Sequence, residues 1–224
     1  MMSEARLEDT GRLALAIGIA AAGSAVCLGT YFAVQGPFGT ISDIGNAATG
    51  VLSAGLAWRL RRQISGRAAN LGVGAAIVGA GLTVAGSALV ISGATGFFFA
   101  GLVSSVGFAG IGSWLVVLNT SDPAVDSLPP RLRSLGVAAG TLMALGVIAV
   151  LGIVAGALMA LGIAAVPGIL LGLDDMTAAP AWVWIGLLGW LGIFVVYPAW
   201  AIWLASVETR LDRQAMNMLD GTGA

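Results

Sequence analysis

Few residues in this 224-residue chain have side chains suited to chemistry, and two of them stand one helical turn apart. Asp43 and Asn46 follow the segment Gly36-Pro37-Phe38-Gly39-Thr40-Ile41-Ser42. A carboxylate with an amide three residues on can share one helix face and hold a cation or a polar solute. The simpler reading makes Asp43 the N-cap of a helix starting at 44, where it would accept from exposed backbone N–H groups. Arg59, Arg61, Arg62 and Arg67 form a second group. Such a cluster can bind anionic lipid headgroups at about 1 kcal/mol per residue. It is also what orients a membrane protein during insertion.

Other chemistry is excluded by missing residue types. There is no His and no Lys, and Cys27 is the only cysteine. Without His there is no Ser-His or Cys-His nucleophile pair and no bis-His haem. A single Cys builds neither a zinc cluster nor an internal disulfide. Without Lys there is no Schiff base and no phosphate-loop lysine. No serine stands in Gly-x-Ser-x-Gly, and no Gly-x-Gly-x-x-Gly occurs. The expectation is therefore a protein that is not an enzyme and uses no cofactor or metal. A net charge of -1 gives no reason to expect nucleic acid as a partner.

The elements that carry these residues follow from hydropathy. Hydrophobic residues make up 58% of the chain and charged ones 9%, against roughly 25% charged in soluble domains. Mean hydropathy is +0.97. A soluble fold needs a charged surface and a disordered chain needs polarity, so the chain reads as an integral membrane protein. Charge is absent from residues 13–42, 44–58, 68–121, 134–173 and 176–207. A span takes about 20 residues. The 68–121 stretch would be about 80 Å long as one helix and must hold two, with a turn at Ser92-Gly93-Ala94-Thr95-Gly96. The predicted fold is all-α: a six-helix transmembrane bundle with spans near 12–34, 44–60, 71–92, 97–118, 134–160 and 181–205. Residues 1–11 form a leader too acidic for a cleavable signal, and 207–224 a polar tail able to extend the last helix to Gly221.

Orientation follows from the basic residues. All ten are Arg, and six spans put every one on the same side. Only Asp43, Asp174 and Asp175 fall opposite. The predicted topology is multi-pass, with both termini cytoplasmic. An arginine-only, Gly/Ala-rich composition is what a GC-rich genome encodes, which points to a bacterial plasma (inner) membrane. The tryptophans are expected to anchor at the interfaces, with Trp190 the exception in mid-span.

The fifth span contains a repeat. Residues 135–153 and 151–169 agree at thirteen of nineteen positions, with LMALG in register. Two outcomes stay open. One is a single helix from about 134 to 164, broken by Pro167-Gly168, with an interfacial segment up to Asp174. The other is two spans and a seven-span chain.

Small residues recur along every span, and close backbone packing replaces the missing hydrophobic drive between helices in lipid. The clearest stripe is Gly72, Gly79, Gly86 and Gly93, at intervals of seven. Others are Ala21/Ala25/Gly29/Ala33, Gly45/Thr49/Ser53/Ala57, Gly101/Ser105/Ala109/Ser113 and Gly136/Gly140/Ala144. The expected partners are the bilayer, anionic headgroups, and a second copy or the other subunits of a membrane complex. The leading functional expectation is a non-enzymatic structural or interaction component. The alternative is a small permease for an apolar or zwitterionic solute, using Asp43 and Asn46 in an outer loop.

Overall fold

A computed structural model describes residues 4–61, 66–120, 128–161 and 187–221. The described residues are helical apart from short turns. Helix α1 spans Glu4–Val34, α2 Phe38–Leu60, α3 Arg67–Ile91, α4 Phe97–Thr120 and α5 Pro130–Leu161. A last helical run comprises α6 (Leu187–Leu191), a π-helical turn (Gly192–Val196) and α7 (Tyr197–Gly221). Four stretches are long and apolar enough to cross a membrane: Asp9–Val34, Arg67–Ile91, Phe99–Thr120 and Leu188–Arg210.

The surface is compatible with a lipid surrounding. Ile19, Val26, Phe32, Val34, Leu71, Val78 and Val195 are each more than half exposed, while Ser24, Thr49, Ser53 and Thr83 are buried. In water that arrangement would be inverted. Helix α2 shows it most clearly. Ile41, Ile44, Val51 and Trp58 face outward, and Ser42, Asp43, Thr49 and Ser53 face inward. In the dry interior Ser53 and Thr83 donate to carbonyls one turn back, Thr49 and Gly79, at 2.6 and 2.9 Å.

The helices close a ring in sequence order, α1 to α5, and the last run returns to α1. Helix α2 also touches α4 across the middle. Glycine makes the seams. A Cβ on Gly79 would collide with the Gly107 carbonyl, and one on Gly110 would lie 2.6 Å from the Ala75 carbonyl. Gly112 meets Gly140 between α4 and α5, and Gly189 meets Gly146 between α6 and α5. Gly45 lies against Ser24 between α2 and α1.

The Gly72/Gly79/Gly86 stripe therefore packs against α4 within one protomer. Two other stripes pack over only part of their length, since Ala109 and Ala21 are buried and Ser105 lies against Gly146 of α5. Helix α4 meets α3 through Gly107 and Gly110, while Gly101 has open space beside it. In α1 the close approaches fall at Gly11 and Gly18, and Gly29 faces open space. Spacing alone identifies a smooth face but not which of several smooth faces meets a neighbour.

Boundaries follow from local chemistry. The 92–96 turn is where the sequence places it, with Gly93 at φ +67° in the left-handed region that favours glycine. Helix α1 begins at Glu4 rather than at 12, so the acidic leader is helical. Helix α5 is continuous across the seam of the repeat to Leu161, 32 residues and about 48 Å. No break separates two spans within it, and it exceeds the roughly 30 Å hydrocarbon core. Helix α7 carries the polar tail as far as Gly221. Asp174, Asp175, Trp182, Trp184 and Pro167-Gly168 lie outside the described residues.

The π turn has a local cause. Pro198 follows it, and a proline ring clashes with the carbonyl four residues back, here Phe194. Widening the turn relieves that clash, and the Tyr197 N–H reaches back five residues to the Gly192 carbonyl.

Tryptophan roles divide. Trp58 is 53% exposed and Trp203 37%, in keeping with an interfacial position. Trp114 and Trp200 are fully buried and belong to the core, Trp200 stacked on Tyr197 at 5.9 Å. An aromatic ring near a helix end anchors in lipid only if it points outward, and these two point inward.

Candidate solute-binding crevice

The expected outer loop around Asp43 is much shorter than its Gly-Pro-Phe-Gly composition implies. Gln35 and Gly36 take φ +61° and +83°, which completes the reversal within residues 35–37. Pro37 then opens α2, its fixed φ suiting a helix start, and its carbonyl accepts from the Ile41 N–H at 3.1 Å. Asp43 therefore lies in the second turn of α2 and is not its N-cap. The cap position is Pro37, with no side-chain capping bond. Asp43 and Asn46 belong to a helix that faces its neighbours, not to a solvated loop.

Burial changes the meaning of the carboxylate. Asp43 is 7% exposed, and its Oδ2 has no hydrogen-bond partner. Leaving a buried carboxylate oxygen unpaired costs several kcal/mol unless something compensates it.

The neighbouring polar groups satisfy one another. Ser42 donates its hydroxyl to the Ser24 carbonyl at 3.0 Å. The Ser24 hydroxyl is within reach of the Ser42 carbonyl at 2.7 Å and of Asn46 Oδ1 at 2.9 Å. Gly45 allows this approach, since a Cβ there would lie 2.9 Å from that of Ser24. The network clamps α1 to α2 and fixes the Asn46 amide.

Asp43 and Asn46 both line one crevice of about 40 Å³. A single water needs roughly 10–15 Å³ by the same measure, so the space exceeds one water. Leu28 of α1 and Val90 of α3 contribute walls. Helix α4 contributes Phe97, Ala100, Gly101, Ser104, Ser105 and Phe108, one face over about 16 Å. The last run contributes Trp190, Ile193 and Phe194, two of them from the π turn. Such turns recur at functional sites. Trp190 and Phe194 meet edge to face at 6.2 Å. Sequence reasoning missed these aromatics as site residues. The one available signal was Trp190, the only Trp predicted in mid-span.

The arginine group lies at the opposite end of the bundle. Arg59 donates to Asp9 Oδ2 at 2.9 Å, joining the C-terminus of α2 to the N-terminal part of α1. Arg61 lies over the exposed Trp58 ring, 3.3 Å from its centroid. Arg67 opens α3. Arg62 lies outside the described residues. One of the four charges is thus engaged in an ion pair and a second in a cation–π stack. Among the described residues no group of three or more His, Cys, Asp or Glu side chains could hold a metal.

Comparisons with protein-family models, curated proteins and solved structures find no match. The crevice must be interpreted from its own chemistry.

Proposed function

We propose that the protein is a six-span, non-enzymatic integral membrane protein that acts as a small permease, with the Asp43/Asn46 crevice as its solute site. The observation that carries this reading is the buried Asp43 side chain, with one carboxylate oxygen lacking a hydrogen-bond partner, in the lining of a crevice between helices. Ionisable groups inside membrane bundles are costly and mark solute or ion routes. The expectation of a structural or interaction component rested on small-residue packing faces and on spans without polar centres, and the Ser24–Ser42–Asp43–Asn46 group is such a centre.

The six spans are α1 to α5 and the last run. The inside-out polarity of α2 supports counting it as a span despite its many polar residues. Ion pairing of Arg59 with Asp9 and the position of Arg67 at the start of α3 support one arginine-rich end. By the basic-residue rule that end faces the cytoplasm, with both termini. The proposed location is a bacterial inner membrane, with anionic headgroups around Arg61 and Arg67.

The test is flux into proteoliposomes for a panel of neutral, zwitterionic and cationic small solutes. Uptake of at least one class, at least tenfold lower with Asp43→Asn, is the expected result. Uptake of every class no faster than in empty liposomes would sink the permease reading.

A second reading has its own observation. Gly74 and Gly81 of α3 have open space beside them, among exposed Leu71, Ile77 and Val78. A smooth, uncovered face is what a subunit of a membrane complex would present. Co-purification of a stoichiometric partner in mild detergent, lost with Gly81→Leu, would favour it.

A further inference from the structure

We infer that the crevice recognises an alkylated ammonium ion, its charge facing Asp43 and its substituents packed among aromatic rings. This rests on the solute-site reading above and adds the ligand class. Three observations point to it. The Asp43 carboxylate is more than nine-tenths buried, and one of its oxygens lacks a partner. The walls contributed by α4 and the last helical run carry Phe97, Phe108, Trp190 and Phe194. No basic residue is among the crevice-lining residues described.

Each observation removes a competitor. A neutral apolar solute would displace water from the carboxylate and leave it uncompensated. A zwitterion would bring a carboxylate of its own, with no arginine to meet it. A bare metal cation needs several oxygen ligands, and among the described lining side chains Asp43 supplies the only carboxylate. An alkylammonium fits all three. It is a soft, weakly hydrated cation, and aromatic faces attract it through their quadrupoles. The carboxylate supplies the charge, and the rings select for apolar substituents.

The test is calorimetric titration of the full chain in detergent with tetramethylammonium chloride. Uncharged tert-butanol and sodium chloride serve as competitors. Saturable binding is expected, unaffected by equimolar competitor. Asp43→Asn should abolish it, and Asp43→Glu should restore part of it. Phe194→Leu keeps the carboxylate and should weaken binding by about five- to tenfold. The ligand class is overturned by absence of saturable binding, by equal displacement with sodium or tert-butanol, or by unchanged affinity in Phe194→Leu. Binding without flux would retain the ligand class and remove the permease reading. Asp43-dependent flux of a zwitterion without tetramethylammonium binding would do the reverse.

Discussion

The Ser53 hydroxyl lies 2.7 Å from the Tyr197 hydroxyl, linking α2 to α7 across 144 residues of sequence. Both residues are fully buried. Ser53 already donates its one proton to the Thr49 carbonyl at 2.6 Å. Tyr197 must therefore be the donor between them. That asymmetry sets the cost of breaking the bond. Ser53→Ala strands a buried O–H donor and should cost about 1–3 kcal/mol. Tyr197→Phe leaves only an acceptor that has other work and should cost less. The double variant should cost less than the sum of the two, as a cycle of unfolding measurements in mixed micelles would show. Equal single costs would contradict the assignment of the donor.

Glycines on the two sides of α3 should behave oppositely. Gly79→Ala forces a Cβ into the Gly107 carbonyl, a backbone atom that cannot step aside. Separating α3 from α4 should cost about 1–3 kcal/mol. Gly81→Ala meets nothing within 4 Å. It should be neutral or stabilising by up to about 1 kcal/mol, because alanine is the better helix former. Thermal denaturation in detergent compares the two directly.

The turn between α3 and α4 provides a test of orientation. In a Cys27→Ala background, Ala94→Cys should be labelled by a membrane-impermeant maleimide added to intact cells. A cysteine placed at Gly66 should be labelled only after lysis. The opposite pattern would invert the topology, and labelling of both in intact cells would remove the bundle from the membrane.

Anionic lipid should stabilise the arginine-rich end. Arg61 is stacked on the exposed Trp58. Adding phosphatidylglycerol to neutral micelles should raise the unfolding temperature. Arg61→Gln should remove part of that gain, at about 1 kcal/mol per charge. Arg59→Gln should remove less, since Arg59 already pairs with Asp9 and half-exposed pairs contribute about 0–1 kcal/mol.

Much of the fold was legible because the bilayer imposes one-dimensional rules. Hydrocarbon excludes charge, so each charge-free stretch that is described lies within helices apart from short turns, and the Ser92–Gly96 turn falls in the interval that length requires. Continuity of α5 across the seam of the repeat, as far as Leu161, also agrees with the single-helix reading. Proline and glycine were less informative around residue 37. Their density there implies a loop, yet two residues with positive φ suffice for the reversal, and the proline starts the next helix. Trp114 and Trp200 were misplaced for a related reason: position along a helix predicts depth in the membrane, not the direction a ring points.

By itself, the sequence determined the solvent, the helical class and the grouping of arginines, because each depends on composition along the chain. Tertiary structure alone decided that Asp43 is buried beside Asn46 and shares a crevice with Phe97, Phe108, Trp190 and Phe194. Those residues are up to 151 positions apart, and no periodicity within one helix reveals which faces of its neighbours it meets. That pairing depends on the closing of the ring, where glycine backbones set each helix at contact distance and fix its rotation about its axis.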